Sequence, residues 1–247
     1  HACIKALLFL GAGNVIVTMQ HKKDLFKMGG LKKYMPITHF VFLIGVLAII
    51  GIPGLSGFFS QYELLSKAYN YPKMGPFLWG VGAVSAACTS FYMVRLLCLT
   101  FYGENRSSAQ VQKHLKEASS VMWGPLTLLA FLSVFIGYLG VPEFIASHFH
   151  FHNIFENDFT QVISVPQQAQ KYWSFMHTPH RPLEELLLMI LSVTLTFLSA
   201  GFALYIYGKG PSPLSLKLKI RWQKTHTLLL NKYWVDEFYL NYLVKPL

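Results

Sequence analysis

Acidic residues are scarce in this chain, and charge of either sign is thin. Its 247 residues include 11 Asp and Glu against 21 Lys and Arg, and charged residues make up 13% of the whole. Soluble domains carry about 25%, so an ordinary water-exposed surface is excluded. Cysteine is nearly absent too. Cys3, Cys88 and Cys98 lie inside apolar runs with no CxxC spacing, which excludes a disulfide or thiolate–metal framework and marks them as small buried hydrophobes. No phosphate-binding glycine loop, haem or flavin signature or nucleophile triad is present. The first residue is His1, with no initiator Met, basic n-region or cleavage site, so no targeting segment is visible and the chain reads as an internal piece of something longer.

Apolar sequence fills the space that charge leaves. Hydrophobic residues make up 53% and the mean hydropathy is +0.39, a membrane composition in which runs of about 20 apolar residues span a bilayer. Five segments emerge, at about 2–19, 38–69, 77–101, 121–141 and 186–207. The expected fold is therefore all-α: a polytopic membrane protein with five transmembrane segments. The net charge of +10 resides mostly in loops. Lysines 22, 23, 27, 32 and 33 sit in loop 20–37, Arg106, Lys113 and Lys116 in loop 102–120, and Lys209, Lys217, Lys219, Arg221 and Lys224 in the tail after 208, whereas 70–76 and 142–185 carry few. That alternation is the pattern of single crossings with basic loops inside, and it accounts for the charge without nucleic acid as a partner.

The second segment is too long for one crossing. Thirty-two residues would make a helix of about 48 Å against a hydrocarbon core of about 30 Å. Within it, "AIIGIPGLSGFFSQYELL" places Pro53, Gly54 and Gly57 in the middle. Two half-helices, roughly 38–51 and 58–69, meeting at a break near Pro53 fit better. Such discontinuous helices mark ion sites in transporters, while a plain proline kink is the simpler alternative.

Ionisable groups inside these segments are the functional candidates. Lys5, flanked by Ala and Leu, would cost about 2.5–3.5 kcal/mol near the bilayer centre, and His1 lies four residues earlier on the same helical face. Together they make a candidate proton relay, against the alternative of a lysine snorkelling from a helix end. Gln61, Glu63 and Lys67 follow the break. Glu63 and Lys67 are an i,i+4 pair in the favourable order, and Gln61 can arrange water without changing charge. His39 stands at the inner start of the second segment as a candidate entry group, and Arg95 is placed to snorkel inward or to join a polar axis. The alternating His148, His150 and His152, with His177 and His180, lack a second ligand set, so no metal site is assigned. The tail "NKYWVDEFYLNYLVKPL" reads as an interfacial segment.

Five blocks carry a family resemblance: "HACIKALLFLGAGNVI", "DLFKMGGLKKYMPIT", "GIPGLSGFFSQYELL", "TSFYMVRLLCLTFYG" and "LLLNKYWVDEFY". In order and spacing they resemble the largest antiporter-like membrane subunit of respiratory complex I, the bacterial NADH–quinone oxidoreductase subunit L and its mitochondrial equivalent, subunit 5. The resemblance implies less than half of the family's chain. Residues 1–101 would hold the end of the second antiporter-like half-channel and the next helix. Residues 102–208 would hold further transmembrane helices with outer loop 142–185, and 209–247 would lead toward a lateral helix. It further implies a proton path through Lys5, with His1 helping to link the water path, and a discontinuous helix broken at Pro53.

One position departs: the family's motif usually has a lysine after "GFFS", followed by an acid, and here Gln61 and Tyr62 stand there while Glu63 is kept. A standard outer exit is thereby in question: either Glu63 or Lys67 substitutes, or the half-channel is altered or coupled elsewhere. Proton translocation coupled to quinone reduction in other subunits is the implied function. This chain would hold no cofactor itself, with NADH, FMN, iron–sulfur clusters and quinone handled by other subunits. The implied partners are the other membrane subunits of complex I, above all the neighbouring antiporter-like subunit, and the lipid bilayer of a bacterial inner membrane. A large subunit of a multisubunit cation/proton antiporter or membrane-bound hydrogenase is the alternative within transport, and a non-transporting scaffold subunit the alternative outside it.

Overall fold

The computed structural model describes residues 1–113, 115–140 and 182–244, and all regular elements among them are helical. They fall into two compact units, His1–Gly210 and Pro211–Leu247. In the first unit α1 is Ala2–Thr18, α2 Pro36–Ile50, α3 Ser56–Tyr69 and α4 Gly75–Phe101, followed by a single turn, α5, at Ala109–Gln112. Next come α6, Ser120–Phe135, continued by a 3₁₀ stretch Ile136–Gly140, and α7, Pro182–Tyr207. Three helical stretches are long and apolar enough to cross a membrane, Gly75–Phe101, Ser120–Leu139 and Leu183–Tyr207, while α1 and α2 are shorter apolar helices of 17 and 15 residues. The outer-loop histidines lie outside the described residues.

The second segment is indeed two helices, and the junction is tighter than a proline kink. Gly51 ends α2 in the left-handed region at φ +82°, where a residue without Cβ is favoured. The Gly51 N–H donates to Ala48 O at 3.1 Å and the Ile52 N–H to Leu47 O at 3.2 Å, the two bonds of a Schellman cap. Ile52 to Leu55 then form a turn closed by Leu55 N–H to Ile52 O at 3.1 Å. Pro53 takes its second position and Gly54, φ +92°, its third, the requirement of a type II turn. Pro53 thus lies outside either helix, and Gly51 is the stop signal.

Glycine also lets the two halves cross. A Cβ on Gly57 would overlap the Ala48 carbonyl oxygen, and one on Gly137 would overlap the Ser56 backbone. The Tyr138 hydroxyl donates to Gly54 O at 2.8 Å, and the Ser56 hydroxyl donates to Ser133 O of α6 at 2.5 Å. Within a bilayer, irregular backbone persists only where protein or water satisfies it, and here α6 and its 3₁₀ extension do so.

Around this junction α1 runs antiparallel to α2. Gly11 lies against Phe42, Gly45 against Leu7 and Leu8, and Asn14 against Thr38. Ile4 reaches Gly57 in the first turn of α3, which sets the start of α1 at the depth of the break. Polar bonds between helices join α4 to α7: Ser90 Oγ donates to Thr196 O at 2.9 Å and Ser199 Oγ to Ala87 O at 2.6 Å.

The lysine-rich loops meet at one end. Arg106, after α4, donates to the carbonyls of Leu25 and Phe26 in the first loop and of Leu99 and Glu104 in its own region. Burial lowers its pKa below the ordinary guanidinium range, and a charged fork with several carbonyl acceptors is the use for which arginine is suited. Gly30 N–H donates to Tyr102 O at 3.1 Å, Lys22 Nζ to Ser108 Oγ at 3.3 Å, and Gly103 lies beside Lys209 and Gly210 after α7. The basic segments flanking α1, α2, α4, α6 and α7 therefore share one end of the bundle.

The second unit comprises α8 (Pro213–Arg221), α9 (Gln223–Leu230), a 3₁₀ turn, α10 (Val235–Phe238) and a π-helical stretch Tyr239–Val244. Its apolar side chains are largely exposed, among them Ile220, Leu230 and Tyr242. Lys232 pairs with Asp236 at 2.8 Å, which raises the lysine pKa above its ordinary value.

Gly57→Ala is expected to destabilise the fold by about 1–3 kcal/mol or more through overpacking, read as a lowered thermal midpoint in detergent. Gly13→Ala, whose added Cβ meets nothing within 4 Å, is expected to leave the midpoint unchanged.

Candidate functional site: the interrupted helix and its polar flanks

Gln61 sits one turn into α3, with its side-chain amide oxygen against Gly51; a Cβ there would approach it at 2.5 Å. Gln61 therefore touches the break itself. Glu63 and Lys67 form the expected i,i+4 ion pair, Lys67 Nζ to Glu63 Oε1 at 2.5 Å, with both side chains more than a third exposed. Pairs of this exposure contribute about 0.3–0.5 kcal/mol.

Lys5 and His1 share the face of α1 that points away from the core. Ile4, Leu7, Leu8, Gly11, Asn14 and Val15 are buried, whereas His1, Lys5, Phe9 and Leu10 are exposed. Lys5 follows Ile4, which packs at Gly57, so the lysine lies at the depth of the break but on the outward face. The structure thus brings Gln61 to the break and sets Lys5 level with it, without joining the two side chains.

At the basic end α2 begins in a polar network that sequence reasoning missed. Pro36 occupies the first turn, where its missing N–H is no loss. The Glu117 carboxylate accepts from Ile37 N–H at 2.8 Å, Thr38 N–H at 3.4 Å and the Thr38 hydroxyl at 2.6 Å. It caps the helix N-terminus, where backbone donors and the dipole favour an anion. Asn14, only 1% exposed in the middle of α1, donates its amide to Thr38 Oγ1 at 2.9 Å, and its carbonyl oxygen has no partner. The one signal for this network was a buried-type asparagine in an apolar run, since the partner acid lies about 80 positions from Thr38.

His39, 6% exposed, sits with its Nε2 3.1 Å from the Tyr102 hydroxyl and its ring edge-on to Phe101 and Tyr102, with the Lys32 ammonium over the Tyr102 ring at 5.5 Å. It is a packed histidine near the basic end. Arg95 lays its guanidinium over the Tyr207 ring at 5.3 Å, a cation–π contact, and its Nε is buried without a partner. Cys3, Cys88 and Cys98 are free. Among the described residues no cluster of His, Cys, Asp and Glu is arranged to hold a metal.

On the other side of the break, α3 packs on α7. Phe58 and Phe59 meet Met189 and Val193. A small cavity, with room for about one water molecule, is bounded by Gly51, Gln61 and Tyr62 on one side and Ser192 and Thr196 on the other. The Ser192 and Thr196 hydroxyls donate to carbonyls of α7 itself.

Apolar helices of membrane length, an interrupted helix and basic loops gathered at one end define an integral membrane protein of the discontinuous-helix kind. Residues 1–89 match the family described as NADH:quinone oxidoreductase/Mrp antiporter, TM. The whole chain is 34% identical to NADH-quinone oxidoreductase subunit L of Rickettsia bellii, covering 36% of that protein. It is 35% identical over 96% of its length to NAD(P)H-quinone oxidoreductase subunit 5, organellar chromatophore 1, of Paulinella chromatophora, covering 37% of it. Over 56% of its length it is 46% identical to NADH-ubiquinone oxidoreductase chain 5 of Marchantia polymorpha, covering 21% of that protein. The chain is similar to these antiporter-like complex I subunits, and it spans about a third or less of the length of these relatives.

Thr38→Val is expected to orphan the Asn14 amide and one Glu117 bond, lowering stability by about 1–3 kcal/mol. Thermal denaturation in detergent would read this as a lowered midpoint, and an unchanged midpoint would show that the network adds nothing.

Proposed function

We propose that this chain is part of a proton-translocating membrane subunit of a respiratory NADH–quinone oxidoreductase, moving protons along a buried polar axis while quinone is reduced in other subunits. The observation that carries the reading is the placement of Lys5 level with the interrupted helix, through Ile4 against Gly57, in a chain whose full-length relatives are named as subunits of that enzyme. A lysine at that depth is costly unless it is used. His1, one turn earlier, extends the line. Gln61 arranges water at the break, and His39 lies nearest the basic end, where protons enter.

Five crossings fit this role: α1, the α2–α3 pair, α4, α6 and α7, with the basic loops inside. The redox groups, NADH, FMN, iron–sulfur clusters and quinone, belong to other subunits. The partners are the remaining membrane subunits, foremost the neighbouring antiporter-like one. The setting is a bacterial inner membrane, supported by whole-chain similarity to the Rickettsia bellii subunit L. The family description also embraces Mrp antiporters, and the complex I names of the whole-chain relatives favour the oxidoreductase over that alternative.

In the intact complex, Lys5→Ala is expected to slow NADH-driven proton uptake at least about tenfold, from the size of acid–base contributions, with assembly preserved. Normal uptake in that variant would sink the relay. Gln61→Lys restores an ionisable group at the break and is expected to shift the pH dependence of pumping. An unchanged profile would show that this side chain does not limit transfer.

A further inference from the structure

Tyr62 holds a polar group with no assigned use. The residue is 7% exposed, its ring stacks on Phe58 with centroids 6.4 Å apart, and its hydroxyl oxygen is wholly buried without a partner in hydrogen-bond geometry. A buried, unsatisfied hydroxyl is costly, and such groups are rare in folded proteins without a reason. Its polar neighbours are the Glu185 carboxylate, in the first turn of α7, and Ser66 on its own helix.

Their position along the bundle follows from the chain. Both α4 and α7 end at the basic loops, and each is 26 or 27 residues long, about 40 Å. Their first turns therefore lie at the opposite end, and so does the end of α3, which leads into α4. Tyr62 stands between the break, where its neighbour Gln61 meets Gly51, and Glu185 near that far end. Tyr62 and Gln61 both line the small cavity between α3 and α7.

We propose that Tyr62 and Glu185 form the outer proton-release pair of this half-channel, replacing the ionisable group that Gln61 cannot provide. The assignment rests on the translocation reading above. In one concerted relay the Tyr62 O–H bond breaks as an O–H bond forms on the Glu185 carboxylate, the phenol oxygen takes a proton from a water beside Gln61, and that water is itself reprotonated by the proton arriving along the path from the inner side. Glu185 then releases its proton at the far end, so one proton advances and both side chains return to their starting states. Glu63, the acid on α3, is held by Lys67, and Glu184 precedes Glu185 in the same first turn of α7.

The test uses the assembled respiratory complex in liposomes, with proton uptake read against NADH oxidation. Glu185→Gln and Tyr62→Phe are expected to slow coupled proton uptake at least about tenfold, and Glu185→Asp to keep most of it. Wild-type uptake in Glu185→Gln or Tyr62→Phe overturns the pair, and so does an equal loss in Glu185→Asp, which would mark a packing role. Should Glu185→Gln fail to assemble, Tyr62→Phe, which removes one oxygen and keeps the ring, decides. Lys5→Ala measured alongside separates the two ideas. A loss there without a loss in the pair variants sinks the pair alone, and no loss there sinks the translocation reading.

Discussion

A peptide backbone interrupted among apolar helices must find partners for the bonds it gives up, and the first unit is arranged around that demand. In hydrocarbon each unsatisfied N–H or C=O costs several kcal/mol. The junction between α2 and α3 meets the cost locally through the cap at Gly51 and the turn at Pro53–Gly54. It meets the rest from outside, through Tyr138 on Gly54 O and Ser56 on Ser133 O. The close approaches at Gly57 and Gly137 are what allow α2, α3 and α6 to converge there.

The two ends of the bundle are held by different means. At the basic end, fixed backbone carbonyls gather around Arg106, and Glu117 caps α2 while anchoring Thr38 and Asn14. Those bonds bring segments that are distant in sequence together and hold them by charge-assisted hydrogen bonds, the stronger kind. The far end is bound chiefly by apolar packing of Phe58 and Phe59 on α7, with polar groups tucked into that packing. Polar rigidity on one side and an apolar seam with few, selected acids on the other give a membrane bundle a direction along its normal.

Much of the fold was legible because membrane helices announce themselves by composition. The half-helices expected at roughly 38–51 and 58–69 are found at Pro36–Ile50 and Ser56–Tyr69, and the Glu63–Lys67 pair follows from spacing alone. What spacing could not supply is which face of a helix is covered. Lys5 and His1 lie on one face, as the helical period requires, and that face turns outward in this chain. Contacts across long sequence separation were equally invisible: Glu117 with Thr38, and Ser90 with Thr196, join residues that no local pattern relates. The cause of the break was legible only in part, because proline draws the eye while the left-handed Gly51 does the terminating.

The hydrogen-bonded cap and turn at residues 47–55 have a mechanical meaning. Three successive backbone bonds over so short a span, with a proline fixing one torsion, make a stiff corner, and Tyr138 bolts its tip to the neighbouring helix. The interruption is therefore no hinge. The two halves of the segment cannot swing against each other without breaking that corner, so whatever opens or closes along this axis has to be side chains and the water they admit.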